Sequence, residues 1–446
     1  MEKVHLLFRE GKYTEALQFL KSLLDESKDL KLQIQIQNEI GKTYLWLGQY
    51  KEAATSLQEA ITRATEANHQ AEIAYALNYL GLVYWQQGDN SQALASLQQS
   101  LAIRRDLPNE ERVADTLNNL ALVFSSIGDY DQALQLHQEQ YEIDLQIGHG
   151  FGMSLSLNNI GNIHREKGDY TKAFECYHSA VEIDQQNNHK YGLARTYRDL
   201  GTIYRLRGDL EQAIKHCLQS VQLLEELEMR DTTYIRSLVE LICAYIEANL
   251  FKDAKTILAK AELVSNALQS PLAKLLVQYS LGYLKQKELD LGEAINIYER
   301  CLSLAEEHNI FDYRLKCLLH LAEIKLLKYR DNFAEEDEEG MQHYLQAAHK
   351  LAVTKGIISA QVRLKLLTAM LYLAKMDHPN ALKMFEAVQK AAQEKKFMRE
   401  DQLAREHLNR VKKFLKQTKP PSQEEEEEFE EMMRYLREVQ KLKMGN

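Results

Sequence analysis

The sequence predicts an all-α fold, a solenoid of antiparallel helical hairpins, and three observations carry that prediction. Five prolines in 446 residues leave long stretches free of helix breakers. Apolar residues make up 45%, enough for a continuous core and too many for a disordered chain. A short pattern also returns about every forty residues, as it does in arrays whose units bury their apolar faces only by stacking.

The pattern reads LGQYKEAA at Leu47, QGDNSQAL at Gln87, IGDYDQAL at Ile127, KGDYTKAF at Lys167 and RGDLEQAI at Arg207. Its alanines, Ala16, Ala53, Ala93, Ala133, Ala173, Ala213, Ala254 and Ala294, are spaced by 37, 40, 40, 40, 40, 41 and 40 residues. A further alanine, Ala381, follows after 87 residues. Each period divides into two helices. In Met153–His164, Leu157, Ile160, Gly161 and His164 recur at helical spacing, and Tyr170–Ile183 repeats the spacing with Ala173, Tyr177 and Ala180. Between them Gly168 ends one helix and Asp169 caps the next. Small residues at Gly41, Gly81, Ala121, Gly161 and Gly201 let the paired helices cross closely.

The expected organisation is a continuous array of about ten hairpins over residues 1–416. It begins with a short first helix at Met1–Arg9 and is closed by an amphipathic helix at Asp401–Lys416 carrying Leu403, Leu408, Val411 and Leu415. The six acids of Asp331–Gly340 read as a loop insertion that accounts for the long last spacing. Asn249 and Leu289 stand where turn glycines are expected, which predicts a break in curvature between them. Pro420 and Pro421 stop the closing helix, so residues 417–428 read as an acidic linker and 429–443 as a short amphipathic helix. That helix, with Phe429, Met432 and Leu436 on one side, either docks on the array of its own or a second molecule or frays without a partner.

Charge and motif content narrow the function. The net charge of −10 resides in Asp331–Gly340 and in Ser422–Asn446, so the rest of the chain is neutral and offers no basic stripe for nucleic acid. No apolar run approaches a membrane span, and five irregularly spaced cysteines fit a reducing, cytoplasmic compartment. The motifs HExxH, GxxxxGK[ST] and GxSxG are absent. Cys176, His178, His216 and Cys217 fall on consecutive second helices, but Cys217 occupies the packing position of Tyr177 and Leu97. No enzyme activity, cofactor or metal is expected.

The repeat pattern, most specific from Gly41 to Ala213, resembles the tetratricopeptide repeat family, whose standard unit has 34 residues. The longer period is similar to that of kinesin light chains and of the LGN/Pins adaptors; Asp115–Ile143 is particularly close to the light-chain style. The resemblance implies a right-handed superhelix whose first helices line a concave groove, with asparagines there holding peptides. Asn38, Asn78, Asn118 and Asn158 recur in one register, joined by Asn119, Asn159 and Asn162. A carboxamide donates and accepts, so it can bind a peptide backbone or link adjacent hairpins. Further on, Arg165, Arg195, Arg198 and Arg205 would make either a basic row suited to carboxylates or a set of surface ion pairs with Glu166 and Asp199. The expected function is therefore an adaptor holding a peptide or extended protein segment, acidic in character. The alternative is a regulatory sensor in which a small molecule or short peptide alters the superhelix.

Overall fold

The regular forty-residue period folds into two helices of about 17 residues joined by short turns, as in Gly150–Glu166 followed by Tyr170–Gln186. The residues beyond the 34-residue standard thus lengthen the helices and leave the links short. The computed structural model describes residues 2–9, 12–268, 270–308, 310–354, 358–394 and 398–417, and every regular element among them is a helix. The expected helix at 429–443, its docking, and all of the linker except Gln417 lie outside the described residues.

In chain order the helices begin with α1 (Glu2–Arg9), α2 (Tyr13–Glu26), α3 (Leu30–Trp46), α4 (Tyr50–Glu66), α5 (Gln70–Gln86), α6 (Asn90–Arg105) and α7 (Glu110–Ile127). They continue with α8 (Tyr130–Gln146), α9 (Gly150–Glu166), α10 (Tyr170–Gln186), α11 (Lys190–Leu206), α12 (Leu210–Glu226), α13 (Thr232–Glu247) and α14 (Phe251–Leu268). The last are α15 (Pro271–Lys287), α16 (Leu291–Glu307), α17 (Phe311–Asn332), α18 (Glu335–Thr354), α19 (Ile358–Ala374), α20 (His378–Glu394) and α21 (Met398–Gln417). These residues fall into two units, one comprising Met1–Leu318 with Leu351–Ile358 and the other Leu319–Lys350 with the chain from Ser359 onward.

The turn inside a hairpin is set by backbone chemistry. Gly128 takes a left-handed φ of 83°, and the Asp129 N–H reaches back to the Phe124 carbonyl at 2.9 Å. The Asp129 carboxylate then accepts from the Gln132 N–H and caps α8, as Asp89, Asp169, Asp209 and Asp290 do for their own helices. Asn249 and Leu289 hold the same left-handed conformation, at φ 58° and 63°. The hairpin turn therefore persists where its glycine is lost.

Hairpins close because one helix is notched and the other carries a knob. A Cβ on Gly41, Gly81 or Gly161 would lie 2.5–2.6 Å from side-chain atoms of Leu57, Leu97 or Tyr177. Such contacts are too close for any side chain, so Leu57, Leu97, Tyr177 and Cys217 are fully buried over bare backbone. The nine pattern alanines, Ala16 through Ala381, are completely buried. The core then runs on between repeats: Leu45 of α3, Leu57 of α4 and Leu80 of α5 belong to one apolar cluster.

In the third full period the knob is His137, fully buried opposite Ala121. The Gln140 amide donates to Asp144 at 3.3 Å, leaving its oxygen to accept from His137 Nδ1 at 3.2 Å. The His137 Nε2 has no partner. Burial lowers the His137 pKa to about 4, so the ring is neutral near pH 7. Asp144, buried beneath Gly152, also accepts from His149 Nδ1 at 2.9 Å. Burial raises the Asp144 carboxyl, and the His149 and Gln140 hydrogen bonds pull against that rise.

In the second unit the acidic segment is not the expected loop. α17 runs on to Asn332, only Phe333 and Ala334 are non-helical, and α18 starts at Glu335. Four acids in the first turn of α18 complement the helix dipole. Asp337 is anchored by Lys325 at 2.9 Å and Lys328 at 3.5 Å, while Asn332 accepts from the Ala334 N–H. The extra residues thus enter two long helices, of 22 and 20 residues. α21 packs Ala404, Leu408 and Val411 into the core, and His407 stacks on Phe385 at 5.1 Å.

Two stability measurements test this account. Leu289 is 79% exposed and left-handed, so Leu289→Gly should stabilise the chain by about 1 kcal/mol in chemical denaturation. A destabilised variant would contradict the assigned strain. A buried neutral histidine with a depressed folded pKa stabilises above its unfolded pKa, and that stability is lost as pH falls toward the folded value. Between pH 6.5 and 4 the His137 contribution should fall by about 3 kcal/mol. His137→Leu, which restores the Leu57 and Leu97 pattern, should remove this loss; a pH-independent difference between variant and parent would refute it.

Candidate functional site

The first helices α3, α5, α7, α9 and α11 lie side by side, and their facing polar residues form a ladder. An asparagine of one repeat bonds to the residue one place further along in the next. Asn119 Nδ2 donates to Asn78 Oδ1 at 3.1 Å, joining α7 to α5. Asn159 Nδ2 donates to Asn118 Oδ1 at 2.9 Å, and Asn158 Nδ2 to Asp199 Oδ2 at 3.0 Å. At the N-terminal end, Asn38 Nδ2 instead meets Glu72 Oε2 at 3.1 Å.

These bonds settle how adjacent asparagines share one helix: Asn118 faces α9 and Asn119 faces α5, with 3.2 Å between them. Asn38, Asn78, Asn158 and Asn159 are buried. Asn118, Asn119 and Asn162 are half-buried. Asn162 donates to Asn158 and accepts from the Tyr177 hydroxyl at 2.8 Å. Each carboxamide nitrogen of the half-buried three keeps a second hydrogen for another acceptor.

The four arginines differ in their partners. Arg205 donates to Glu247 at 2.6 Å and Glu240 at 3.4 Å, both on α13. Arg165 pairs with the exposed Glu166 at 3.0 Å. Arg198 forks onto Asp199 through Nε at 3.0 Å and Nη2 at 3.2 Å. Burial would raise the Asp199 carboxyl, but Arg198, Arg165 and the Asn158 amide outweigh it and hold it below the usual carboxylate range. Arg195 is half-buried, and burial followed by the charge of Arg198 lowers its pKa. Among the described residues it makes no ion pair or hydrogen bond.

Several polar residues of this face escaped the sequence reading. Glu240 and Glu247, which hold Arg205, lie about a period away in a repeat whose turn has Asn249 in place of glycine. Arg104, 4% exposed at the end of α6, falls in register with Ala64, Asp144 and Asp184. A charge at that register, where the preceding repeat has alanine, was the available signal.

The second-helix cysteines and histidines do not converge. His216 stacks on Tyr204 at 5.2 Å, and His178 lies against Phe174 at 4.3 Å. Burial raises the thiols of Cys217 and Cys176, the latter to about 11. Among the described residues no group of three or more His, Cys, Asp or Glu is placed to hold a metal ion. No described helix is long and apolar enough to cross a membrane.

The tetratricopeptide repeat model matches residues 32–106, 72–146 and 152–226, and a second tetratricopeptide repeat model matches 276–308. No curated protein matches the sequence. Among solved structures, the Rap conjugation gene regulator of plasmid pLS20, in complex with the Phr* peptide, is similar with a TM-score of 0.54 and 12% identity. The match covers 76% of this chain and 96% of that one. The apo quorum sensor NprR from B. thuringiensis has a TM-score of 0.52 at 16% identity, covering 78% and 97%. A putative kinesin light chain from Podospora anserina is 21% identical over 45% of this chain and 96% of its own, but its TM-score of 0.34 carries no argument for that narrower group. With half of its length matched by tetratricopeptide repeat models and hairpins built to that plan, the chain belongs to the tetratricopeptide repeat family.

Proposed function

We propose that the chain is a non-enzymatic adaptor whose inner helical face, from α7 to α11, holds an extended, acidic protein segment. Arg195 carries this reading: a half-buried guanidinium beside Arg198, with no carboxylate of its own among the described residues. A planar fork in that state suits a ligand carboxylate. The second hydrogens of Asn118, Asn119 and Asn162 are available for peptide carbonyls. The repeat family and the likeness to a peptide-bound regulator fit the same reading. Five free cysteines, three of them buried, agree with work in a reducing cytoplasm.

The ladder shifts the weight within the expected site. Asn38, Asn78 and Asn158 serve the joints between repeats, so their removal would disturb the scaffold before any ligand. Arg205 is occupied by Glu240 and Glu247, which leaves Arg195 as the anchor. A sensor reading has its own support in a polar cavity at the N-terminal end, lined by Arg104 and Asn38.

A binder selected from an array of Asp- and Glu-rich peptides provides the test. Arg195→Ala should weaken it by about 1–3 kcal/mol in calorimetry, and Arg205→Ala by much less. Affinity should also fall as salt rises. Equal binding by the parent and Arg195→Ala would overturn the anchor, and a peptide insensitive to salt would overturn the acidic ligand.

A further inference from the structure

A second polar site lies at the other end of the inner face, formed by α3, α5, the end of α6 and the start of α7. These elements enclose a cavity of about 300 Å³, at the lower end of the range for small-molecule sites. Its walls carry opposite charge. Arg104 and Arg112 come from the α6–α7 side, and Asn38, Glu39, Glu72 and Tyr75 from α3 and α5.

Two groups in it are incomplete. Arg104 is 4% exposed, and its Nη1 donates to the Arg112 carbonyl at 2.6 Å and to Thr116 Oγ1 at 2.7 Å. Its Nε and Nη2 make no hydrogen bond among the described residues, and no carboxylate pairs with it. A buried cation without a counterion is costly, and the hairpin plan does not require one here, since the preceding repeat has Ala64 at this register. Burial lowers the Arg104 pKa, with Asp115 opposing and Arg112 adding to the fall. On the opposite wall Asn38 is 1% exposed, and its Oδ1 has no partner. Its orientation is fixed, because its Nδ2 points at two acceptors, the carbonyl and carboxylate of Glu72. The remaining acceptors are held in place: Tyr75 and Lys42 donate to Glu39, and Gln35 donates to Glu72 at 2.9 Å.

We propose that this cavity binds a free α-amino acid, with its carboxylate on Arg104 and Arg112 and its ammonium on the Glu39 and Glu72 carboxylates. A simple anion would sit close to two carboxylates. A simple cation would leave Arg104 unpaired and meet its repulsion. A small zwitterion satisfies both walls, and the cavity volume suits one residue better than a length of peptide. The site shares no arginine with the Arg195 anchor, so the two readings stand or fall separately.

The test uses the full chain and the twenty free L-amino acids, followed by thermal unfolding and calorimetry. At least one should raise the midpoint by several degrees at saturation and bind one to one. Its N-acetyl and methyl-ester derivatives should each bind at least about tenfold more weakly, because each deletes one charge. Arg104→Ala, which installs the residue of the preceding repeat, should abolish binding, whereas Arg195→Ala should leave it intact. If Arg104→Ala does not fold, the exposed Arg112→Ala decides, with an expected loss of about tenfold. The proposal is overturned if none of the twenty binds, if a blocked derivative binds as well as the free amino acid, or if the deciding arginine variant binds like the parent.

Discussion

The structure depends on one steric constraint: in four of the hairpins the two helices cross so closely that one is bare where the other presents its knob. Gly41, Gly81 and Gly161 receive Leu57, Leu97 and Tyr177, and Gly201 receives Cys217. A methyl group at any of these glycines would displace a fully buried side chain. The crossing fixes the register of each hairpin, and the register brings the alanines inward and the first helices alongside their neighbours. His137 follows from the same geometry. It occupies the same knob register as Leu97 and Tyr177, opposite Ala121, and it is neutral because the position is dry.

Once the first helices are aligned, their polar residues meet across the gap. An unpaired buried amide would be costly, yet two amides in adjacent repeats can satisfy each other. The links between Asn78 and Asn119, and between Asn118 and Asn159, do so with identical partners, and Asn158 continues the series onto Asp199. The ladder thus joins repeats in the same direction as the apolar core. It also limits what the inner face can offer a ligand, because the amides most regularly placed are those already committed.

The two proposed ligand sites then rest on groups that the scaffold leaves incomplete. Arg165, Arg198 and Arg205 form ion pairs, whereas Arg195 and Arg104 form none among the described residues. The two lie in different repeats and in different surroundings. Arg195 lies beside Arg198, which in the proposed reading favours an acidic segment. Arg104 faces Glu39 and Glu72 across a small cavity, which favours a ligand carrying both signs.

The sequence by itself determined the hairpins: their period, the Gly–Asp turns, the notched first helices and the buried alanines all follow from local spacing and short-range sterics. It also located the asparagine register, though not its use. Whether Asn118 meets a peptide or Asn159 depends on the distance between helices from different repeats, which no local pattern encodes. The acids at Asp331–Gly340 read as a loop because they coincide with the surplus in the last alanine spacing; in the structure Asp337, held by Lys325 and Lys328, lies in the first turn of α18. Leu289 likewise lacks the intrinsic preference for its left-handed turn, which the hairpin imposes: Tyr298 of α16 packs over Gly282 of α15, and the Asp290 N–H bonds the Lys285 carbonyl. Tertiary structure decided the partners of Arg205, since Glu240 and Glu247 come from about a period away, whereas Arg165 and Arg198 pair with their chain neighbours Glu166 and Asp199.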